Sequence, residues 1–300
     1  MLTMAAERAL EVLAPGFLTL VQDLGRFGFA SIGVGPSGAA DRGAFQLGAR
    51  LLAQPYSAAA LEVTFGGLSV RAHGNVQLAL TGAQAPAAVN DHAVGYLGPY
   101  TLADGQILTL GNPQVGLRTY LSVRGGIAVP PVLGSRATDT LSGLGPPPVR
   151  AGDMLPVGPA PAAFPNLDIV PVPAVSAETL VLHALPGPRD NWLADLDALA
   201  VTTWTVSSRS DRVGIRLTGT TLQREASRRG QELPSEGAVR GSIQVPPSGE
   251  PVIFLADHPV TGGYPVTAVL LDDDIDRAAQ AVPGQQIRMV LVSGSALKGC

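Results

Sequence analysis

Glycine and proline recur along the whole of this chain, 36 and 26 of them in 300 residues. Proline removes a backbone donor and glycine weakens a helix interior, so a chain punctuated this way breaks into many short strands and turns. The length suggests about two domains and is ample to bury a core without cross-links. The one cysteine, Cys300, excludes an internal disulfide and a thiolate metal site. The net charge is −4 with no basic stripe, which makes nucleic acid and anionic membrane poor partners. Residues 1–16 carry acidic groups and no apolar core, unlike a signal peptide. No apolar run approaches the ~18 residues of a membrane span, so the expectation is a soluble cytoplasmic protein.

From Leu10 to Val157 the pattern is mostly strands. Residues 11–20 read as a hairpin turning at Pro15-Gly16, and residues 62–70, 76–81, 106–110 and 117–123 alternate or run apolar. Residues 39–52 form the best helix, with Ala40, Ala44, Leu47 and Leu51 on one face, Ser37 as N-cap and Asp41 in the first turn. Residues 133–145 are a polar, glycine-rich loop. Prolines then mark an extended connector. The expected division is an N-terminal β domain (1–160), a connector (161–176) and a C-terminal domain (177–300). In the last, residues 189–199 read as a short helix, 274–281 as a helical turn and 286–293 as a closing strand.

The richest stretch is GSIQVPPSGEPVIFLADHPVTGGYP, residues 241–265. Val252 to Leu255 read as a buried strand that delivers Asp257, His258, Thr261, Gly262, Gly263 and Tyr264 to one loop. The two glycines would let amides converge on an anion or carbonyl, or need φ > 0. The plainer alternative is a tight hairpin whose Asp and Thr bond their own backbone. Asp23 with Arg26, and Asp211 with Arg212, read either as acid–guanidinium pairs for an anionic ligand or as ion pairs in turns. Glu236 is a lone turn carboxylate. The four histidines lack metal-ligand spacing, so no metal is expected, and no Gly-x-Ser-x-Gly elbow occurs. The single lysine, Lys298, leaves no P-loop lysine, core Schiff-base lysine or biotin acceptor.

Residues 13–52 (LAPGFLTLVQDLGRFGFASIGVGPSGAADRGAFQLGARLL), GIAVPPVLGSRATDTLSGLG, SDRVGIRLTG, LPSEGAVRGSIQVPPSGEPVIFLADHPVTGGYP and PGQQIRMV together resemble the biotin-dependent carboxyltransferase-like family. That family includes the C subunit of prokaryotic 5-oxoprolinase, proteins labelled allophanate hydrolase subunit 2, and half of the carboxyltransferase region of urea carboxylase. The resemblance implies a mainly β protein with few short helices: a cyclophilin-like β-barrel in the C-terminal half joined to a second β domain. It implies lactam opening of 5-oxoproline to glutamate with A- and B-type subunits, ATP being shared with or bound by those partners, and no biotin on this chain. The alternatives are a carboxyltransferase component acting on a urea-like acceptor and a non-catalytic regulatory module. His258 and Pro259 depart from the family's usual Arg-Gln.

The resemblance favours Gln22, Asp23, Arg26, Arg212, Glu236, Gln244 and the loop Asp257 to Tyr264 as cleft residues. On this reading Arg26 and Arg212 hold a substrate carboxylate, and Thr261, Gly262 and Gly263 polarise a carbonyl. Asp257 or Asp23 then orients water or manages a proton, while Gln22, Glu236, Gln244 and Tyr264 line the substrate.

Overall fold

The computed structural model describes residues 8–96, 98–163 and 178–293, so most of the expected connector lies outside the described residues, as do Lys298 and Cys300. The compact units are not contiguous in sequence. One comprises residues 1–26, 41–139 and 143–175; the other takes residues 27–40, 140–142 and 176–300. Two short segments of the N-terminal half thus belong to the second unit.

The first unit is built on two antiparallel sheets. One runs in the order Met154–Pro156, Ala9–Pro15, Leu68–His73, Ile107–Leu110, Ala87–Val89, His92–Ala93. The other runs Leu18–Gln22, Ala60–Thr64, Arg118–Val123, Val76–Gly82, Tyr100–Leu102. Leu10, Val70 and Leu108 from the first sheet and Val63, Leu80 and Leu121 from the second share one apolar core. Residues 11–20 are therefore not a hairpin: the two strands pass into different sheets. Gly16 makes that corner at φ +71°, where a Cβ would lie 2.2 Å from the Gly66 carbonyl oxygen. Residues 62–70 divide in the same way, at Phe65, Gly66 and Gly67, all with positive φ.

The helix Arg42–Leu51 covers the outer face of the second sheet. Its approach is close enough that a Cβ on Gly48 would meet Ser122 Oγ at 2.3 Å. This cover explains why Ala60–Thr64 and Arg118–Val123 are buried along their whole length, where one-sided burial would leave alternate residues wet. The N-cap is Asp41, whose Oδ1 accepts from Ala44 N–H at 2.8 Å, and not Ser37. Asp41 N–H donates to Tyr120 Oη, which donates to Glu62 at 2.7 Å. Burial first, then Glu62 and Asp41, raise the Tyr120 pKa well above its ordinary value, so this phenol stays a hydrogen-bond donor.

The second unit contains the closed barrel expected from the sequence. Its seven strands run Leu180–Pro186, Val266–Leu270, Ser242–Gln244, Val252–Phe254, Gly214–Thr218, Thr203–Val206, Gln286–Leu291 and back to the first, the last junction being parallel. Trp204, fully buried, fills its interior with Leu217, Ile243, Ile253 and Ile287, and its indole N–H donates to Leu199 O at 2.9 Å. The expected helix over 189–199 is instead a 3-10 turn, Asp190–Trp192, followed by a single helical turn, Ala198–Val201. The helix Asp272–Ala278 precedes the final strand.

Candidate functional site

Gln22, Asp23 and Arg26 emerge together from the strand Leu18–Gln22 and meet the polar loop of the first unit. Asp23 is not paired with Arg26. Its carboxylate accepts from Gly25 N–H, Ser135 Oγ and Arg136 N–H at 2.8, 2.6 and 2.6 Å, which leaves it holding the loop in place. Gln22 Nε2 donates to Thr138 O at 2.9 Å, and Arg26 Nη2 donates to Ala137 O. The carboxylate nearest Arg26 is Asp139, 4.0 Å from Nη1. Both side chains are buried, yet Gln22 Oε1 and Arg26 Nε and Nη1 have no hydrogen-bond partner. Unpaired buried polar atoms are uncommon and costly. Here two donors of a cation and one acceptor are left open side by side, above adjacent carbonyls of one loop.

In the barrel unit, Asp257 and Arg212 form a fully buried bidentate pair, with Nε to Oδ2 at 2.9 Å and Nη2 to Oδ1 at 3.0 Å. Arg212 Nη2 also donates to Gly38 O at 2.6 Å. Ser37 Oγ, Thr140 Oγ1 and Thr140 N–H donate to the same carboxylate at 2.6, 2.7 and 2.9 Å. Burial pushes the Asp257 pKa up, but Arg212, Ser37 and Thr140 outweigh it and hold the group below its ordinary value. A carboxylate so fully occupied is a poor base, and a guanidinium so occupied has no fork left for a substrate carboxylate. The catalytic role expected of Asp257 and the substrate-binding role expected of Arg212 find no geometric support. Asp211 bonds its own turn, to Val213 and Gly214 N–H.

The remaining residues gather at a two-stranded ribbon. Glu236–Gly237 pairs with Thr261–Gly262, and Arg189 Nε and Nη2 grip Glu236 as a fork, the Nε bond being 3.1 Å. The Glu236 hydrogen bond raises the Arg189 pKa, against burial. Gln244 Nε2 donates to Tyr264 O at 3.1 Å. A Cβ on Gly262 would come within 2.4 Å of that nitrogen, whereas one on Gly263 would meet nothing closer than Leu233 O at 3.5 Å. Neither glycine has positive φ, so the close approach falls at Gly262 and Gly263 is not constrained. Thr261 and Tyr264 are exposed. His258 stacks on Phe254, with ring centroids 5.8 Å apart, and its Nδ1 lies 2.8 Å from Pro259 O.

Sequence reasoning missed Ser37, Thr140, Ser135 and Arg189. The polar run Thr138-Asp139-Thr140 between glycines was the available signal for the loop; nothing local marked Arg189 as the partner of Glu236. Among the described residues no group of His, Cys, Asp and Glu is placed to hold a metal, and no helix is long and apolar enough to cross a membrane.

Residues 32–291 match the family described as carboxyltransferase domain, subdomain A and B. The chain belongs to this family. It is 38% identical over 293 residues to the C subunit of Escherichia coli 5-oxoprolinase, covering 95% of this chain and 91% of that protein. The corresponding Haemophilus influenzae protein is 33% identical over 286 residues, covering 91% of this chain and 88% of its own length. The structure of Kluyveromyces lactis urea amidolyase superposes with a TM-score of 0.91 at 30% identity, over 99% of this chain and 19% of that much longer one. Family membership thus rests on the whole length, with a relative in each of two differently named enzymes.

Proposed function

We propose that this chain is the C subunit of an ATP-dependent 5-oxoprolinase, opening the lactam of 5-oxoproline to glutamate together with A- and B-type subunits. The observation that carries this reading is the open polar pair Gln22 and Arg26. 5-Oxoproline has a carboxylate, which suits the unpartnered Arg26 N–H groups, and a lactam N–H, which suits the unpartnered Gln22 Oε1. Urea offers N–H groups but no anion for the guanidinium, so the carboxyltransferase alternative leaves Arg26 unmatched. In the reaction the ring C–N bond breaks, water supplies hydroxide to the carbonyl carbon, and the nitrogen takes the proton.

This chain's own contribution is recognition. Arg26 and Gln22 hold the acid and amide ends, while Asp23 fixes the loop that carries Ala137 and Thr138. Asp23 is kept from the water-activating role by its three donors. Thr261, Gly262 and Tyr264 remain candidates for contact with the carbonyl or with a partner. ATP does not fit the described residues: the longest helix N-terminus, where phosphate would bind, is closed by the Asp41 carboxylate. Nucleotide chemistry is therefore assigned to the partner subunits.

The test is glutamate formation from 5-oxoproline and ATP by the purified chain, alone and with A- and B-type subunits. Turnover is expected only in the full mixture. Arg26→Gln should raise KM by roughly tenfold or more, since losing a paired carboxylate costs on the order of 2–5 kcal/mol. Biotin-dependent carboxylation of urea by the mixture would favour the alternative instead. Binding to the partners without either activity would favour the regulatory module.

A further inference from the structure

The barrel unit holds a second polar cavity, made by none of the residues assigned to substrate above. Residues 221–232 fold back over the turn after Val245: Leu222 N–H donates to Gly249 O and Ala194 N–H to Gln223 O, both at 3.0 Å. Between this segment and Val245, Pro246 and Pro265 lies a cavity of about 440 Å³, a volume usual for small-molecule sites. Its floor is apolar and buried, formed by Leu193, Leu222, Val245 and Pro265. Its rim is cationic. Arg224 and Arg229 both line it, against the single carboxylate of Glu232.

Arg224 is held from two sides. Its guanidinium lies 5.2 Å over the Trp192 ring, and Nη1 donates to Gln231 O at 2.8 Å. Arg228 stands 5.3 Å from the same ring. Among the described residues, no carboxylate lies within ion-pair distance of Arg224, Arg228 or Arg229. Three adjacent cations without an anion raise the local potential, and a guanidinium already fixed by stacking loses less freedom when a ligand arrives.

We propose that this cavity binds a small organic carboxylate with a compact apolar body, its acid group between Arg224 and Arg229 and its body on the leucine–proline floor. The apolar floor selects such a molecule over inorganic phosphate, which would leave that floor empty. Glu232 at the rim disfavours a dianion further. The proposal is independent of the role given to Gln22 and Arg26, which belong to the other unit.

Calorimetric titration of the purified full chain with benzoate, its neutral isostere benzamide, and inorganic phosphate tests this. Benzoate should bind one-to-one, and benzamide and phosphate should bind at least about tenfold more weakly. Benzoate should also shift tryptophan emission through the Trp192 stack. Arg229→Glu should abolish the preference for benzoate over benzamide without moving the melting curve, because the Arg229 side chain is exposed and makes no bond among the described residues; Arg229→Gln gives a milder form of the same loss. Equal affinities for benzoate and benzamide would overturn the proposal. So would benzoate binding unchanged in both variants, tighter binding of phosphate, or no saturable heat at millimolar benzoate.

Discussion

Asp257 accepts five hydrogen bonds, from Ser37, twice from Thr140 and twice from Arg212. Its pKa in the folded chain lies below the ordinary 3.8. A carboxylate with a depressed folded pKa adds stability that is present above its unfolded pKa and is lost as pH falls through the folded value. An acid titration followed by circular dichroism should therefore show stability falling below about pH 4, and Asp257→Asn should remove that acid-dependent increment. At neutral pH the same variant strands Arg212 in the interior. It should lower stability by about 3–5 kcal/mol, the usual penalty for breaking a buried pair. Arg212→Ala should do the same by stranding Asp257. An Arg212→Ala protein with an unchanged melt but impaired substrate binding would restore the substrate role that the sequence suggested.

At the level of elements, the helix Arg42–Leu51 tests which residue caps it. Asp41→Ala should cost about 0.5–2 kcal/mol, read from a urea melt. Ser37→Ala should leave helix content intact and act through Asp257. The helix itself was legible because its apolar spacing is strong; its cap was not, since Ser37 and Asp41 are both good cap residues and only the chain's path separates them. Strand positions were legible from apolar runs, but pairing was not. Gly16 and Gly66 look like hairpin turns in sequence and are corners between sheets, a choice made by their mutual packing. The candidate site followed the same division. Gln22 and Arg26 were named by motif, while their open atoms could be seen only once residues 135–139 were placed beside them. Gly262 and Gly263 are indistinguishable in sequence, yet only Gly262 lies against Gln244. Gly262→Ala should displace the Gln244–Tyr264 bond, at about 1 kcal/mol, and reduce turnover of the assembled enzyme; Gly263→Ala should be silent in both assays. Equal effects of the two substitutions would remove the special place given to Gly262.

For the whole molecule, the consequential fact is that the barrel unit is assembled from three stretches of chain. Cutting at the proline-rich connector, where composition places a boundary, would give a fragment of residues 177–300 containing all seven barrel strands. That fragment would lack Ser37 and Thr140, which donate to Asp257, and the Gly38 carbonyl that accepts from Arg212. It would also lack Ala40, which is fully buried in the barrel's core cluster and whose carbonyl accepts from Arg240 at 2.7 Å. The buried Arg212–Asp257 pair would keep its mutual attraction but lose three of Asp257's five donors. A pair buried with unsatisfied atoms is destabilising, and a domain's whole margin is only about 5–15 kcal/mol. Residues 177–300 should therefore show no cooperative melt by circular dichroism and should bind a hydrophobic dye, whereas the full chain should melt sharply. Supplying residues 27–40 as a synthetic peptide should restore part of the transition, and the same peptide with Ser37→Ala should restore less. A sharp unfolding transition of the bare fragment, within a few degrees of the full chain's, would mean that the barrel strands alone carry the fold and that the two inserted segments are passengers.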